Sequence, residues 1–302
     1  MKSRQNLNDI SVSLIDDKVC KRVAVVCASD ECTQRAVAKA ICQGWIKAVF
    51  VGSTKEIQQN EELKSLSQSI TLVEANNDVD AAEKAVALVK EGDVDVLMKG
   101  LLNTDTLLHA VLNKEKGILP KGNILTHIAV TSIPTYYKLL FFTDAAVIPY
   151  PTQEQRFMQI KYVTAMCRKM GILEPKVALI HCSEKVNEKH FPFTAGYKEL
   201  IADAKKGAFG RCMVDGPLDL KTACNLHSMQ NKHINSPLQG DADAVILPDI
   251  ESGNVFYKSI TTFAQAEVAG ILQGTSAPVV LTSRGDNFTS KFNSLALACR
   301  IV

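Results

Sequence analysis

RVAVVCASDECTQRAVAKAICQGWIKAVFVG, residues Arg22–Gly52, holds two short β-branched runs separated by a helical pattern. The first run reads as a strand over Arg22–Ala28. A helix follows from about Asp30 to Gln43, with Ala36, Val37, Ala40 and Ile41 recurring at three- and four-residue spacing on one face. A second strand, Ala48–Val51, closes before Gly52. Strand, helix and strand in this order describe a βαβ unit, in which the crossover helix forces the two strands to be parallel. Ser29 or Asp30 stands at the helix start, either as its cap or beside an N-terminus open to a ligand phosphate. The glycine spacing of a nicotinamide fingerprint is missing from ASDECT.

The same alternation continues outward. A helix over Asp78–Lys90 presents Ala81, Ala82, Ala85, Val86 and Val89, and strand Val94–Met98 runs into Lys99-Gly100. In LLNTDTLLHAVLNKEKG, Asn103 or Thr104 caps a helix carrying Leu107, Leu108, Val111 and Leu112, which Gly117 ends. Ligands collect at the carboxyl ends of parallel strands, so Lys99, Gly100, Asn103 and Thr104 are candidates for holding an anion. Asn123–Thr131 and Lys138–Ile148 read as strands, PYPTQEQ as a break, and Arg156–Met170 as a helix. Strand Lys176–His181, helix Ala195–Lys206, strand Arg211–Val214 and strand Ala244–Leu247 complete a second lobe. The fold class is α/β, and two lobes imply a cleft for small ligands.

Composition narrows the function. Of 302 residues, Lys+Arg 34 against Asp+Glu 32 gives +2, with no basic run to serve as a footprint for nucleic acid or anionic lipid. No stretch of 18 apolar residues exists, and MKSRQNLNDISVSLIDD lacks a signal-peptide core, so no membrane association and a cytoplasmic chain are expected. The nine cysteines show no CxxC pair and no zinc spacing, so reduced thiols are expected, with residues such as Cys27 in VAVVCAS serving as small buried hydrophobes. His127, His181, His190, His227 and His233 show no metal spacing either.

Three segments end a strand in a polar, glycine-bearing turn that opens a helix: VDGPLDL from Val214, the stretch ending PDIESGNVFYKS at Pro248–Ser259, and VVLTSRGDNFTSK from Val279. Such turns converge backbone N–H groups and a cation on a phosphate or an oxyanion. Together with Leu97–Gly100, KLLFFTDAA at Lys138–Ala146, SPLQGDAD at Ser236–Asp243 and LTSRGDN at Leu281–Asn287, they make the chain resemble the phosphate acetyltransferase and phosphate butyryltransferase family, more closely its butyryl branch.

The resemblance implies a two-lobed fold shared with the isocitrate and isopropylmalate dehydrogenases. Residues 1–122 with 271–302 would form the first α/β lobe and 123–270 the second, with the active site in the interlobe cleft. It implies acyl transfer from butanoyl-CoA to inorganic phosphate, giving butanoyl phosphate and CoA, with coenzyme A as substrate and no tightly bound cofactor or metal. It also implies a homo-oligomer and a carboxylate kinase as metabolic partner. Ser283-Arg284 matches the family's Ser-Arg pair, the serine as an oxyanion donor and the arginine, with its planar fork, as a phosphate ligand. The acetyl branch places a carboxylate six residues after that arginine, where this chain has Ser290. Asp286 is nominated as the proton-transfer group instead, against a reading in which it caps the helix through Asn293 and Ala296; Asp249 is the second candidate.

Asn254 and Lys258, four apart, would share a helix face toward phosphate and CoA, with Phe256 and Tyr257 as an apolar wall or as core. His109 stands where relatives tend to carry arginine, either altering CoA binding or lying on the surface. An acetyl-CoA substrate is the alternative within the family. Two other classes remain: a metal- and NAD-dependent hydroxyacid dehydrogenase using Asp241, Asp243 and Asp249, and a non-catalytic CoA-binding protein.

Overall fold

A computed structural model describes residues 6–282 and 285–302. The chain divides into two compact units: Asn6–Leu125 with Glu267–Val302, and Thr126–Ala266. The first unit opens with α1 (Asn8–Asp16), β1 (Lys21–Val26), α2 (Glu31–Cys42) and β2 (Ile46–Gly52). It continues with α3 (Thr54–Gln59), α4 (Glu61–Ser65), β3 (Ile70–Glu74), α5 (Asp78–Glu91), β4 (Val96–Lys99) and α6 (Thr104–Val111). The βαβ reading holds: β1 pairs in parallel with β2 on one side and β4 on the other. Asp30, not Ser29, caps α2 by accepting from the Thr33 N–H. Asn103, not Thr104, caps α6. That helix stops at Val111, short of Gly117, because the Asn113 side chain takes the Glu115 and Lys116 N–H groups and folds the chain into a turn.

The second unit comprises β5 (Thr126–Ser132), β6 (Leu140–Thr143), α7 (Gln153–Lys169), β7 (Lys176–Ile180), α8 (Tyr197–Lys205), β8 (Met213–Leu218), α9 (Leu220–Cys224), α10 (Leu226–Asn231), β9 (Ala244–Ile246) and α11 (Ile250–Phe263). Its strands run in the order β5-β6-β9-β7-β8, with β5 antiparallel to β6 and the remaining neighbours parallel. Three expectations need correction here. The strand expected over Lys138–Ile148 ends at Thr143, where the buried Asp144 turns the chain. α7 begins at Gln153 because Thr152 and Gln155 form a capping box, so TQEQ starts the helix. VDGPL is not a turn: β8 runs through it to Leu218, and a Cβ on Gly216 would lie 2.6 Å from the Leu179 carbonyl oxygen, so glycine there admits the neighbouring strand.

The chain then completes the first unit with β10 (Glu267–Gln273), β11 (Val279–Val280) and α12 (Phe288–Arg300). Strand order in this unit is β3-β2-β1-β4-β11-β10, parallel except for β10 against β11. Every residue of β4 is buried, and in α12 the run from Lys291 to Cys299 is buried without a break. A helix buried on all sides belongs to the core, not the surface. Trp45, fully buried, packs its ring edge-on to Phe292 of α12 at 5.5 Å. Among the described residues no helix is long and apolar enough to cross a membrane.

Candidate active site

In the first unit the anion-site candidates gather where β1, β4 and β11 end. Val26 pairs with Lys99, and the next two N–H groups, of Gly100 and Leu101, donate to the carbonyls of Val26 and Cys27, each at 2.8 Å. A Cβ on Gly100 would stand 2.4 Å from the Cys27 carbonyl oxygen, so this turn requires glycine for packing alone. Lys99 is 1% exposed and its Nζ donates to the Gly100 carbonyl at 3.2 Å. A buried ammonium is costly unless oxygen atoms surround it, and a positive centre held at strand ends is a ready anion ligand. Asn103 accepts from the Asp105 N–H, which leaves Thr104 at the first turn of α6. β11 lies parallel beside β4, with Val280 opposite Met98, so Leu281 and Thr282 leave the sheet at the same edge as Lys99.

Ser283 and Arg284 lie outside the described residues. Asp286 follows, half-buried, but it does not cap α12: Asn287 does, accepting from the Ser290 N–H at 2.9 Å. The capping role weighed for Asp286 therefore belongs to its neighbour. Ser290 donates its N–H to this cap, and its carbonyl accepts from the Ser294 hydroxyl.

One turn into α12, Lys291 is 2% exposed and reaches back to the first βα turn. Its Nζ lies 2.8 Å from both Asp30 Oδ1 and Thr33 Oγ1. Asp30 thus caps α2 and anchors α12, and this occupies the helix N-terminus considered for a ligand phosphate. Burial pushes the Asp30 carboxyl up, but the hydrogen bonds from Lys291 and Thr33 outweigh it and hold the pKa below its ordinary 3.8. A depressed carboxylate contributes stability that is full above the unfolded value and lost as pH falls through the folded one. Wild-type unfolding free energy should therefore fall on acidification below about pH 4, and Asp30→Asn should be less stable at neutral pH with a flatter acid limb. Urea titrations from neutral pH to about pH 3 check this, and parallel curves for the two proteins would refute it.

The second unit carries the other candidates on α11. Asp249 caps this helix, its Oδ1 accepting from the Ser252 N–H at 2.7 Å. Asn254 and Lys258 are both exposed on the helix, Asn254 donating to the Ala145 carbonyl at 3.3 Å. Phe256 and Tyr257, both half-buried, turn to Phe142 of β6, with ring centroids 5.1 and 6.5 Å away, so they pack against the core. Gly253 sits on the Asp144 turn so closely that a Cβ there would be 2.0 Å from the Asp144 carbonyl oxygen. That turn is built on one carboxylate. Asp144 Oδ1 accepts from the Ala146 and Val147 N–H groups, and Oδ2 from Thr126 Oγ1 and from the His127 and Ile148 N–H groups.

Two residues beside these strand ends had no signal in the sequence. Arg156 of α7 is 3% exposed, donates to the Leu247 and Pro248 carbonyls, and stacks over Phe193 and Tyr197. It thereby fixes the segment that leads into Asp249. His181, beyond β7, is packed edge-on against Phe191 at 4.6 Å, and burial lowers its pKa.

Other expectations are redirected. Asp241 and Asp243 lie at the amino end of β9, where Lys138 binds both and Lys176 and Tyr137 also bind Asp241. Asp249 caps α11 beyond the other end of β9, and among the described residues no group of three or more His, Cys, Asp or Glu side chains could hold a metal ion, so these aspartates do not form one metal site. Cys27 is half-buried, its thiol 3.6 Å from Asp78 Oδ1, so it is not the buried hydrophobe expected. None of the nine cysteines is in a disulfide. His109 is exposed on α6 and lines a groove shared with Glu83, Lys90 and Lys116.

A buried lysine and a glycine turn at the end of a parallel strand are features suited to an enzyme that handles anions. Residues 61–299 match the family described as Phosphate acetyl/butaryl transferase, and the chain belongs to it. It is 38% identical to the phosphate butyryltransferase of Clostridium acetobutylicum over 304 aligned residues, covering 98% of each chain. It is 34% identical to the phosphate acetyltransferase of Thermotoga maritima, covering 92% of this chain and 94% of that one. Among solved structures, a branched-chain phosphotransacylase from Enterococcus faecalis superposes with a TM-score of 0.83 at 32% identity, covering 93% of this chain and 98% of that one.

Proposed function

We propose that this protein is a phosphate acyltransferase that converts butanoyl-CoA and inorganic phosphate to butanoyl phosphate and CoA, reversibly. The observation that supports this reading most directly is the pairing of β11 with β4, which starts the LTSRGDN segment beside the buried Lys99. In the proposed reaction a phosphate oxygen attacks the thioester carbonyl, a tetrahedral oxyanion forms, the C–S bond breaks, and the sulfur leaves as a thiolate that takes a proton. Arg284 and Lys99 hold the phosphate, Ser283 donates to the oxyanion, and Asp286 is the nearest carboxylate of the segment for proton transfer. Gly100, Asn103 and Thr104 shape the strand-end turn, and Asn254, Lys258 and Asp249 serve CoA or phosphate from α11. No step needs a metal. The product, a mixed anhydride, suits consumption by a carboxylate kinase, and a cytoplasmic homo-oligomer fits this role.

The acetyl alternative is supported by the likeness to the Thermotoga enzyme. Acyl length is read by pocket shape, and one methylene changes specificity by only ~1–3 kcal/mol, so both thioesters must be compared directly. The experiment measures CoA release with a thiol reagent in EDTA, from butanoyl-CoA, its branched isomer and acetyl-CoA, with and without phosphate. Phosphate-dependent release that is fastest with butanoyl-CoA is expected. Faster release from acetyl-CoA would establish the acetyl reading, and saturable CoA binding without release a non-catalytic protein.

A further inference from the structure

Thr282, the residue before Ser283-Arg284, has a buried hydroxyl that no described residue engages. The residue is 5% exposed, and among the described residues nothing hydrogen-bonds to its Oγ1. Other buried threonines find partners. Thr126 and Thr143 bond to each other, Thr33 bonds to Asp30 and Lys291, and Thr164 and Thr194 bond to backbone carbonyls. A buried hydroxyl without a partner lowers stability, and valine would fill the same space with no polar atom. Its position is where such a cost has a use. Thr282 leaves β11 at the edge where β4 ends in Lys99 and Gly100, and it directly precedes the two residues assigned to phosphate and oxyanion.

We infer that the Thr282 hydroxyl is a substrate-contacting donor, kept unpaired in the free enzyme to hydrogen-bond an oxygen of the bound phosphate and, as the acyl group transfers, of the tetrahedral intermediate. This rests on the phosphate acyltransferase reading of the same site. A neutral donor adds no charge and leaves Arg284 to supply it. A donor fixed by burial needs no reorganisation as the oxyanion develops, which is where hydrogen bonds contribute most to rate. The structural consequence is a conflict between stability and activity at a single atom.

The test replaces the hydroxyl in two ways, Thr282→Val and Thr282→Ser, and reads thermal unfolding without ligand, the upward shift in Tm produced by inorganic phosphate, and steady-state kinetics. Thr282→Val is expected to be as stable as the wild type or more so, to lose most of the phosphate-induced shift, and to turn over about 100-fold more slowly. Thr282→Ser, which keeps the donor, is expected to retain most of both. A Thr282→Val protein that is clearly less stable without ligand would show that the hydroxyl serves the fold and overturn the inference. Wild-type turnover by that variant would do the same. If the wild type itself released no CoA in a phosphate-dependent way, the functional reading would fall, while the stability comparison and the phosphate-induced shift would still decide whether Thr282 meets an anion.

Discussion

Arg284→Ala is expected to lower turnover by on the order of 100- to 1000-fold and to raise the phosphate concentration needed for half-saturation. Inorganic phosphate near neutral pH is an anion of one to two charges that must be stripped of water and aimed at a thioester carbon. A guanidinium binds two of its oxygens in one plane and stays charged at every working pH, so it supplies both attraction and direction. In the proposed site Lys99 would bring a second cation, but as a point charge buried at the end of β4 it could not fix the rotation of the phosphate. Arg284→Lys should therefore recover part of the binding and less of the rate. Separate determinations of kcat and of KM for phosphate and for acyl-CoA provide the check. An alanine variant with unchanged phosphate dependence would remove Arg284 from the site.

Asp144→Ala is expected to destabilise the protein by about 3–5 kcal/mol, read as a fall in the urea midpoint. The carboxylate accepts from five donors: three backbone N–H groups of the turn after β6, which no strand or helix ladder takes, and the Thr126 hydroxyl and His127 N–H of β5. Its side chain is almost completely buried, so water cannot replace those bonds without opening the turn. The loss would propagate to α11, because Gly253 rests on the Asp144 carbonyl. Asp144→Asn keeps the volume and one acceptor oxygen but turns an NH2 group toward donors, and should recover little. A loss under about 1 kcal/mol would mean that the turn is held by other contacts.

Asp144 and its neighbours mark what the sequence can reveal. Period and caps were legible wherever the chain alternates over a full element: β1, α2 and α5 lie within two residues of their expected ends, and the Asn103 cap was among the two named. The capping box at Thr152–Gln155 was present in the letters but lay behind two prolines that read as a break. β3, ITLVE, is half-exposed at the edge of its unit and carries little pattern, so the sequence does not mark it as a strand. Asp144 looked like one more residue of an apolar run, since nothing local shows that five donors will converge on it. The anion-site candidates of the β4 turn followed from their position at a strand end. Lys291 and Thr282 did not, because one acquires its meaning from a partner 261 residues away and the other from having none among the described residues.

That long separation bears on how the chain is made. Ribosomes deliver residues in order, and all of Thr126–Ala266 has been synthesised before β11 and α12 exist. The inserted unit is continuous and can collapse as it emerges, whereas the first unit must wait with β1, β2 and β4 half-covered until α12 arrives to fill its core. The interval is a window for chaperones, and it ends when the lysine of α12 reaches the aspartate that has been waiting since the first βα turn was translated.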